Sequence, residues 1–207
     1  MFSHDIKGGL FSSQADATRK NPKNPNADLF SILDQLEKYR NSDGNFRFKL
    51  CYPEVTWGLG GKKCNEWLQS SNPLTETTIT GFKPISLAFH LNSGKDPWAG
   101  LGKSPSQWSG AAIDDTPTSS GWWYAIGATR LHFGGIPGPR HKNDSVANTG
   151  KGGVVKKVQL YVQKQIYQKQ DCTCGNGNGR LKNNRIAGGL DVDPPGEFPW
   201  QVAFVFK

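Results

Sequence analysis

Short runs of β-forming residues, each ended by Gly, Pro, Asn or Ser, fill residues 44–163 and constrain the fold more than any other feature of this sequence. Residues 46–50 alternate apolar and basic side chains, as a strand with one buried face requires, and residues 158–162 also alternate. Further candidate strands are residues 77–82, 85–89, 122–127 and 130–133. The 25 glycines and 13 prolines of the 207-residue chain supply turns between them. We therefore predict a mainly β fold, with a β-sandwich or jelly-roll-like module over 44–163.

The residues in front of this module are predicted to be less regular. Residues 1–27 are polar, with Lys, Asn and Pro clustered together, which favours disorder. Residues 28–41 are predicted to form a short N-terminal helix, because apolar residues recur at intervals of three and four and Asp28 can cap the first turn. The apolar positions of this helix are Leu29, Ile32, Leu33 and Leu36. At the other end of the module, the last run also has partial helical spacing through Gln170.

The charge and hydropathy patterns exclude two classes of protein. The formal net charge is +8, but no run interleaves aromatic and basic residues as a single-strand nucleic-acid groove does, so no nucleic-acid partner is predicted. No stretch approaches the roughly 18 consecutive apolar residues of a membrane span. The excess of basic residues is interpreted as a solvated surface, with a polyanion-binding surface as the alternative.

The four cysteines form two sequence pairs that indicate an oxidising compartment. Cys51 and Cys64 enclose a short loop and are predicted to form a disulfide, as in secreted proteins. A zinc site formed by all four cysteines is rejected, because about 110 residues separate the pairs. We predict no metal and no cofactor. Residues 1–27 contain no signal peptide, so we expect the natural start upstream. Asn143-Asp-Ser is an N-glycosylation acceptor that only a secreted chain uses.

Residues 172–207 carry the most specific pattern in the chain. The pattern reads Cys172-Thr-Cys174-Gly175, then NGNGRLKNN, then Arg185-Ile186-Ala187-Gly188-Gly189, and later Phe198-Pro199-Trp200-Gln201-Val202-Ala203. It resembles the activation junction of trypsin-like serine proteases, in which a cysteine-containing pro-segment leads to Arg or Lys, then Ile-Val-Gly-Gly, then a Pro-Trp-Gln-Val strand. Ala187 stands where Val is usual.

The resemblance implies a zymogen that is activated by proteolysis between Arg185 and Ile186. A Gly- and Asn-rich loop can enter the cleft of an activating trypsin-like protease, whose specificity pocket reads the Arg185 cation. In the family, the new N-terminus (Ile186, Ala187, Gly188, Gly189) inserts into the peptidase domain, and its ammonium pairs with the Asp beside the nucleophilic Ser. That ion pair completes the oxyanion hole only after cleavage.

The resemblance also implies a division of the chain and an incomplete catalytic part. Residues 164–185 are interpreted as linker and activation loop with flexible tails, and 186–207 as the first strand of a truncated trypsin-like β-barrel. Family members place the catalytic His, Asp and Ser after the new N-terminus, so we expect them beyond Lys207, and the chain alone to be inactive as a serine endopeptidase. Either Cys172 or Cys174 is expected to bond the peptidase domain that follows.

The aromatic residues of the middle module indicate a binding role. Trp122 and Trp123 are candidate glycan-stacking residues, because an aromatic face matches the apolar face of a pyranose. The adjacent Asp114 and Asp115 are expected to be solvated loop carboxylates, with a Ca²⁺ site completed by backbone carbonyls as the alternative. The module is vaguely similar to galactose-binding-like jelly rolls, through residues 113–115, the tryptophan pair and the late strand. Its expected partner is an extracellular protein or a glycan. The alternative function is a secreted, non-catalytic lectin-like or matrix-binding module with a remnant protease tail.

Overall fold

The alternating residues at 46–50 and 158–162 form the two central strands of a seven-stranded antiparallel sheet. The computed structural model describes residues 1–90, 97–105, 110–115, 123–140 and 153–164. The strands are β1 (Phe2–Asp5), β2 (Arg19–Lys20), β3 (Leu29–Ile32), β4 (Phe46–Cys51), β5 (Cys64–Gln69), β6 (Lys83–Ser86), β7 (Gly102–Lys103), β8 (Ile113–Asp114), β9 (Ile136–Pro137), β10 (Val154–Val155) and β11 (Lys157–Gln163). The mainly β prediction is confirmed.

The large sheet runs in the order β2-β3-β1-β11-β4-β5-β6. Two short ladders, β7 with β8 and β9 with β10, complete the described strands. The helical segments are brief: α1 (Gln14–Thr18) and three 3₁₀ turns at Ile6–Gly8, Leu33–Tyr39 and Leu59–Gly61. Within the described part of the chain, no helix is long and apolar enough to cross a bilayer.

Burial explains why β4 and β11 lie at the centre. Phe48 faces Val162 and Leu50 faces Leu160 across the ladder, and all four side chains are buried. A strand with this period buries every second residue on one face, so pairing two such strands removes both apolar rows from water. The predicted strands at 46–50 and 158–162 are confirmed, and the helical interpretation of the last run is wrong over the residues described.

The predicted disorder of residues 1–27 is wrong. Strand β1 lies between β3 and β11, with Phe2 opposite Leu160 and His4 opposite Val158. Phe2 stacks on Phe11 with ring centroids 5.5 Å apart, and both rings are buried. Strand β1 has four residues, of which only Phe2 is apolar, so its pattern is too short to reveal a strand, and its pairing partners are distant in sequence.

The predicted helix over 28–41 is also corrected. Residues Leu29–Ile32 form strand β3, and only Leu33–Tyr39 is helical, as a 3₁₀ segment. Leu33 and Leu36 are buried, as the spacing required. Pairing with β1 and β2 satisfies the main chain of β3, and this tertiary contact outweighs the weak helical spacing.

Of the other candidate strands, the structure contains only short pieces. Residues 77–82 form no strand, residues 85–89 contribute only the end of β6, and residues 130–133 contribute a single bridge at His132. Of 122–127, the described part contains one bridge, between Ile126 and Ile113.

An aromatic core joins the sheet to the segments that cover it. Trp67 of β5 stacks on Phe48 at 5.2 Å and meets Trp98 edge to face at 5.2 Å. Trp98 in turn lies 4.6 Å from Tyr124, between ring centroids. These buried rings bring residues 98 and 124 onto one face of the sheet.

Candidate functional site

The disulfide marks one end of the large sheet. Cys51 ends β4 and lies directly opposite Cys64, which begins β5, with their Cα atoms 4.1 Å apart. The predicted Cys51–Cys64 disulfide is therefore confirmed. Strand β11 begins at the same end, since Gln159 pairs with Cys51. We call this the disulfide end: residues 52–63, 130–135 and 154–156.

A tight hairpin turn protrudes at the disulfide end. His132 and Gly135 exchange two main-chain hydrogen bonds, and the residues between them, Phe133 and Gly134, have φ values of 49° and 80°. Two consecutive positive φ angles define a type I′ turn, whose first position normally holds Asn, Asp or Gly. Phe133 therefore occupies a backbone conformation that its side chain disfavours.

Phe133 is also exposed in the folded chain. Its side chain is 63% accessible, the largest value among the exposed large apolar residues of the described chain. An exposed aromatic ring contributes little to folding through burial. Strain together with exposure makes Phe133 a candidate binding residue.

A groove of about 400 Å³ lies beside this ring. Its lining residues are Glu54, Val55, Thr56, Phe133, Gly134, Gly135, Val154, Val155 and Lys156. The main-chain N–H of Lys156 donates to the Glu54 carboxylate at 3.2 Å, so this acidic group lies beside the residue that precedes β11. Its lining is mixed: three valines and Phe133 are apolar, whereas Glu54, Thr56 and Lys156 are polar.

The ring of Phe133 continues into a row of stacked groups. His132 lies 4.4 Å from Phe133 and 5.4 Å from Trp123, between ring centroids. The Arg140 guanidinium lies 4.7 Å from the Trp123 centroid. A Cβ added to Gly153 would lie 2.5 Å from Trp123 Cζ3, so this glycine permits the close approach to the indole. Burial, with a smaller contribution from the Arg130 charge, lowers the pKa of His132.

Of the predicted glycan-stacking pair, the structure describes only Trp123. Trp123 is half-buried and contacted by His132, Arg140 and Gly153, whereas Phe133 presents its ring to solvent. Trp122 lies outside the described residues, and glycan stacking stays a prediction. Sequence reasoning placed Phe133 at the end of the candidate strand 130–133 and did not single it out. The available signal was the Gly134-Gly135 pair that follows it, which favours a turn.

A second apolar side chain protrudes from the same end of the sheet. Leu59, 59% exposed, lies in the glycine-rich loop that joins β4 to β5. The amine of Lys62 donates to the Ser86 hydroxyl at 3.0 Å, which brings this loop against the end of β6, where Ile85 is 45% exposed. The Lys63 amine donates to the Pro53 carbonyl at 2.5 Å.

Basic side chains surround these apolar tips. The exposed cations of the disulfide end are Lys62, Lys63, Arg130 and Lys156. Glu54 is the acidic residue among those that line the groove. The local charge is thus positive, which fits an anionic partner better than a cationic one.

The expectation of solvated carboxylates at Asp114 and Asp115 is wrong. Both side chains are buried, 1% and 3% exposed; Asp114 belongs to β8 and pairs with Gly102, and Asp115 lies near the buried Tyr52 and Tyr124. Burial, together with the neighbouring Asp115 charge, raises the pKa of Tyr124 well above its ordinary value. Within the described residues, no group of three or more His, Cys, Asp or Glu side chains is arranged to hold a metal ion.

The predicted activation junction lies outside the described residues. This applies to the cleavage pair and new N-terminus (Arg185, Ile186, Ala187, Gly188, Gly189), to Cys172 and Cys174, and to Asn143. Comparison with known protein families, with curated proteins and with solved structures finds no match.

Proposed function

We propose that this chain is the regulatory and binding part of a secreted trypsin-like serine protease zymogen, activated by cleavage between Arg185 and Ile186. The observation that carries the proposal is the ordered pattern of the cysteine pair, Arg-Ile-Ala-Gly-Gly and Phe-Pro-Trp-Gln-Val-Ala over residues 172–207. The residues of Arg-Ile-Ala-Gly-Gly each have a physical purpose. The arginine is a cation that an activating protease recognises, the isoleucine becomes an apolar new N-terminus, and the glycines allow the backbone to bend.

The described unit supports a binding role for residues 1–164. Its disulfide is of the kind that persists in oxidising compartments. His4 and His132 take part in packing: His4 contacts the Gly9 carbonyl and the Phe11 ring, and His132 contacts two aromatic rings. Phe133 and Leu59 are presented to solvent at one end of the sheet. In this proposal the unit is a β-sandwich that positions the protease, and catalysis resides in the peptidase domain.

Limited digestion of the native full chain with trypsin tests the junction. We expect a fragment that begins Ile-Ala-Gly-Gly, which Arg185→Gln removes. Arg180→Gln is the matched control, because it removes another basic residue of the same loop and should leave this fragment unchanged. Protection of the Arg185–Ile186 bond in the native chain would contradict the proposal.

A fluorophosphonate probe applied to protein purified from its natural source tests the enzymatic part. We expect labelling only of material with the Ile186 N-terminus, because the oxyanion hole forms after cleavage. If Cys172 or Cys174 bonds the peptidase domain, the labelled species releases the 1–185 fragment only on reduction. Cleaved material that takes up no probe would refute peptidase activity.

A secreted, non-catalytic binding module is the second candidate function. The hairpin at Phe133 favours it, because the exposed ring and the groove belong to the described unit and do not depend on the junction. A lectin-like or matrix-binding activity predicts that the full chain is retained on a glycan array or on extracellular matrix, with retention reduced by Phe133→Asn.

A further inference from the structure

We propose that the disulfide end of the sheet docks on an anionic lipid membrane, with Phe133 and Leu59 entering the interface. This inference deepens the binding role proposed above and rests on it, but it does not depend on the activation junction. The partner is defined by its chemistry: an apolar interior beneath negatively charged headgroups.

The two apolar side chains occupy separate loops at one end of the sheet. Phe133 lies in the turn between His132 and Gly135, and Leu59 lies between Gly58 and Gly60 in the β4–β5 loop. They are 63% and 59% exposed. Single exposed apolar residues are common on protein surfaces. Two of them at loop tips on the same end of a sheet, one in a strained backbone conformation, require a more specific explanation.

The charged residues around these tips complement anionic headgroups. Lys62 and Lys63 follow Leu59 in its loop, and Arg130 and Lys156 flank the Phe133 hairpin. Basic side chains held close to a membrane surface are attracted by its negative potential, and this attraction weakens as ionic strength rises. Glu54 adds one negative charge, and the main-chain N–H of Lys156 donates to it.

A membrane fits this surface better than a sugar or a rigid protein groove does. A neutral pyranose would match the Phe133 ring but would not complement the positive charge of the surface around it. A shape-matched protein partner would have to accommodate two tips on separate loops. A lipid interface is fluid, so both side chains can enter it while the basic residues remain at headgroup level.

Vesicle co-sedimentation of the full chain tests the proposal. The probes are vesicles of pure phosphatidylcholine and vesicles of one part phosphatidylserine to two parts phosphatidylcholine. We expect binding to the mixed vesicles that falls with added salt, and weak binding to the neutral ones. Phe133→Asn and Leu59→Asn should each lower the apparent affinity by about tenfold, since each removes an apolar group from the interface.

A matched pair of charge reversals separates local from general electrostatics. Lys156→Glu should weaken binding to the mixed vesicles, whereas Lys38→Glu, in the 3₁₀ segment Leu33–Tyr39, should not. Both lysines are exposed, and both variants change the net charge equally. Melting temperatures of all variants check folding, and Phe133→Asn should not lower that of the wild type.

Three results would overturn the proposal. These are equal binding to neutral and anionic vesicles, binding unchanged by both Phe133→Asn and Leu59→Asn, and equal loss from the two charge reversals. Vesicle binding and trypsin cleavage are measured separately, so failure of this inference is distinguishable from failure of the proposed zymogen function.

Discussion

His132 and Gly135 exchange main-chain hydrogen bonds of 2.8 and 3.0 Å around a turn whose two central residues, Phe133 and Gly134, both have positive φ. The glycine is suited to this conformation, whereas the phenylalanine is not. The hairpin therefore keeps an exposed aromatic ring at a cost to folding, and the following prediction measures that cost.

Replacing Phe133 with Asn is expected to stabilise the folded chain by about 1 kcal/mol, because Asn is favoured at the first position of a type I′ turn. Urea unfolding monitored by circular dichroism measures the change in the free energy of unfolding. Phe133→Ala serves as the control, since it removes the ring but leaves a non-glycine Cβ in the same conformation, and it should give less stabilisation. A lower urea midpoint for Phe133→Asn would show that the ring contributes to the fold.

Removing the Cys51–Cys64 disulfide is expected to lower the stability of the unit. The bond closes a loop with a sequence separation of 13. Constraining the unfolded chain over such a loop is worth about 3 kcal/mol, so the double variant Cys51→Ala/Cys64→Ala should lose roughly that amount. Thermal unfolding with and without reductant measures it. The double variant itself should be insensitive to reductant, and a wild type equally insensitive under conditions that reduce the bond would contradict the prediction.

Acidification is expected to destabilise the fold through His4. Burial lowers the pKa of this imidazole, and its Nε2 donates to the Gly9 carbonyl at 2.9 Å. The folded state therefore resists protonation, while the unfolded chain binds a proton near the ordinary pKa of about 6.5. Stability is fully present above that pH and is lost as the pH falls from about 6.5 toward the lowered folded pKa.

Urea midpoints at several pH values for wild type and His4→Gln measure this effect. The variant should show a smaller loss between neutral pH and pH values just below the ordinary pKa of histidine, because it lacks the titrating group. Carboxylates with lowered pKa, such as Asp16 and Glu37, lose their contribution at lower pH in both proteins. Identical pH profiles would exclude His4 as the source.

Asn65 is expected to be among the least replaceable polar residues of the sheet. Its side-chain oxygen accepts from the main-chain N–H groups of Ala88 and Phe89 at 2.9 and 2.8 Å, and its Nδ2 donates to the Phe89 carbonyl at 2.9 Å. All of these groups are buried. Asn65→Ala would leave them unsatisfied and should cost roughly 3 kcal/mol in the free energy of unfolding.

Asn65→Asp is the informative companion variant. A carboxylate retains the oxygen that accepts from both the Ala88 and Phe89 N–H groups but loses the donor to the Phe89 carbonyl. It should also destabilise the fold, and the loss should shrink at acidic pH, where a protonated carboxyl can donate again. Chemical denaturation at two pH values measures this, and a loss independent of pH would contradict the assigned donor role.

The sequence by itself determined the parts of the fold that repeat a pattern locally. The alternation of apolar and polar residues predicted β4 and β11, because each strand carries its own row of apolar side chains. The spacing of Cys51 and Cys64 predicted their disulfide, because a short loop brings the two sulfur atoms together at little cost. The mainly β class followed from the density of turn residues.

Only the tertiary structure decided the remainder. Strands β1 and β3 are four residues each, too short for a local period to identify them, and β1 pairs with strands that are remote in the chain. The burial of Asp114 and the exposure of Phe133 run against the ordinary preferences of both residue types. Such positions depend on the tertiary structure: Asp114 is buried in the β7–β8 ladder, while the turn at residues 132–135 leaves the phenylalanine exposed.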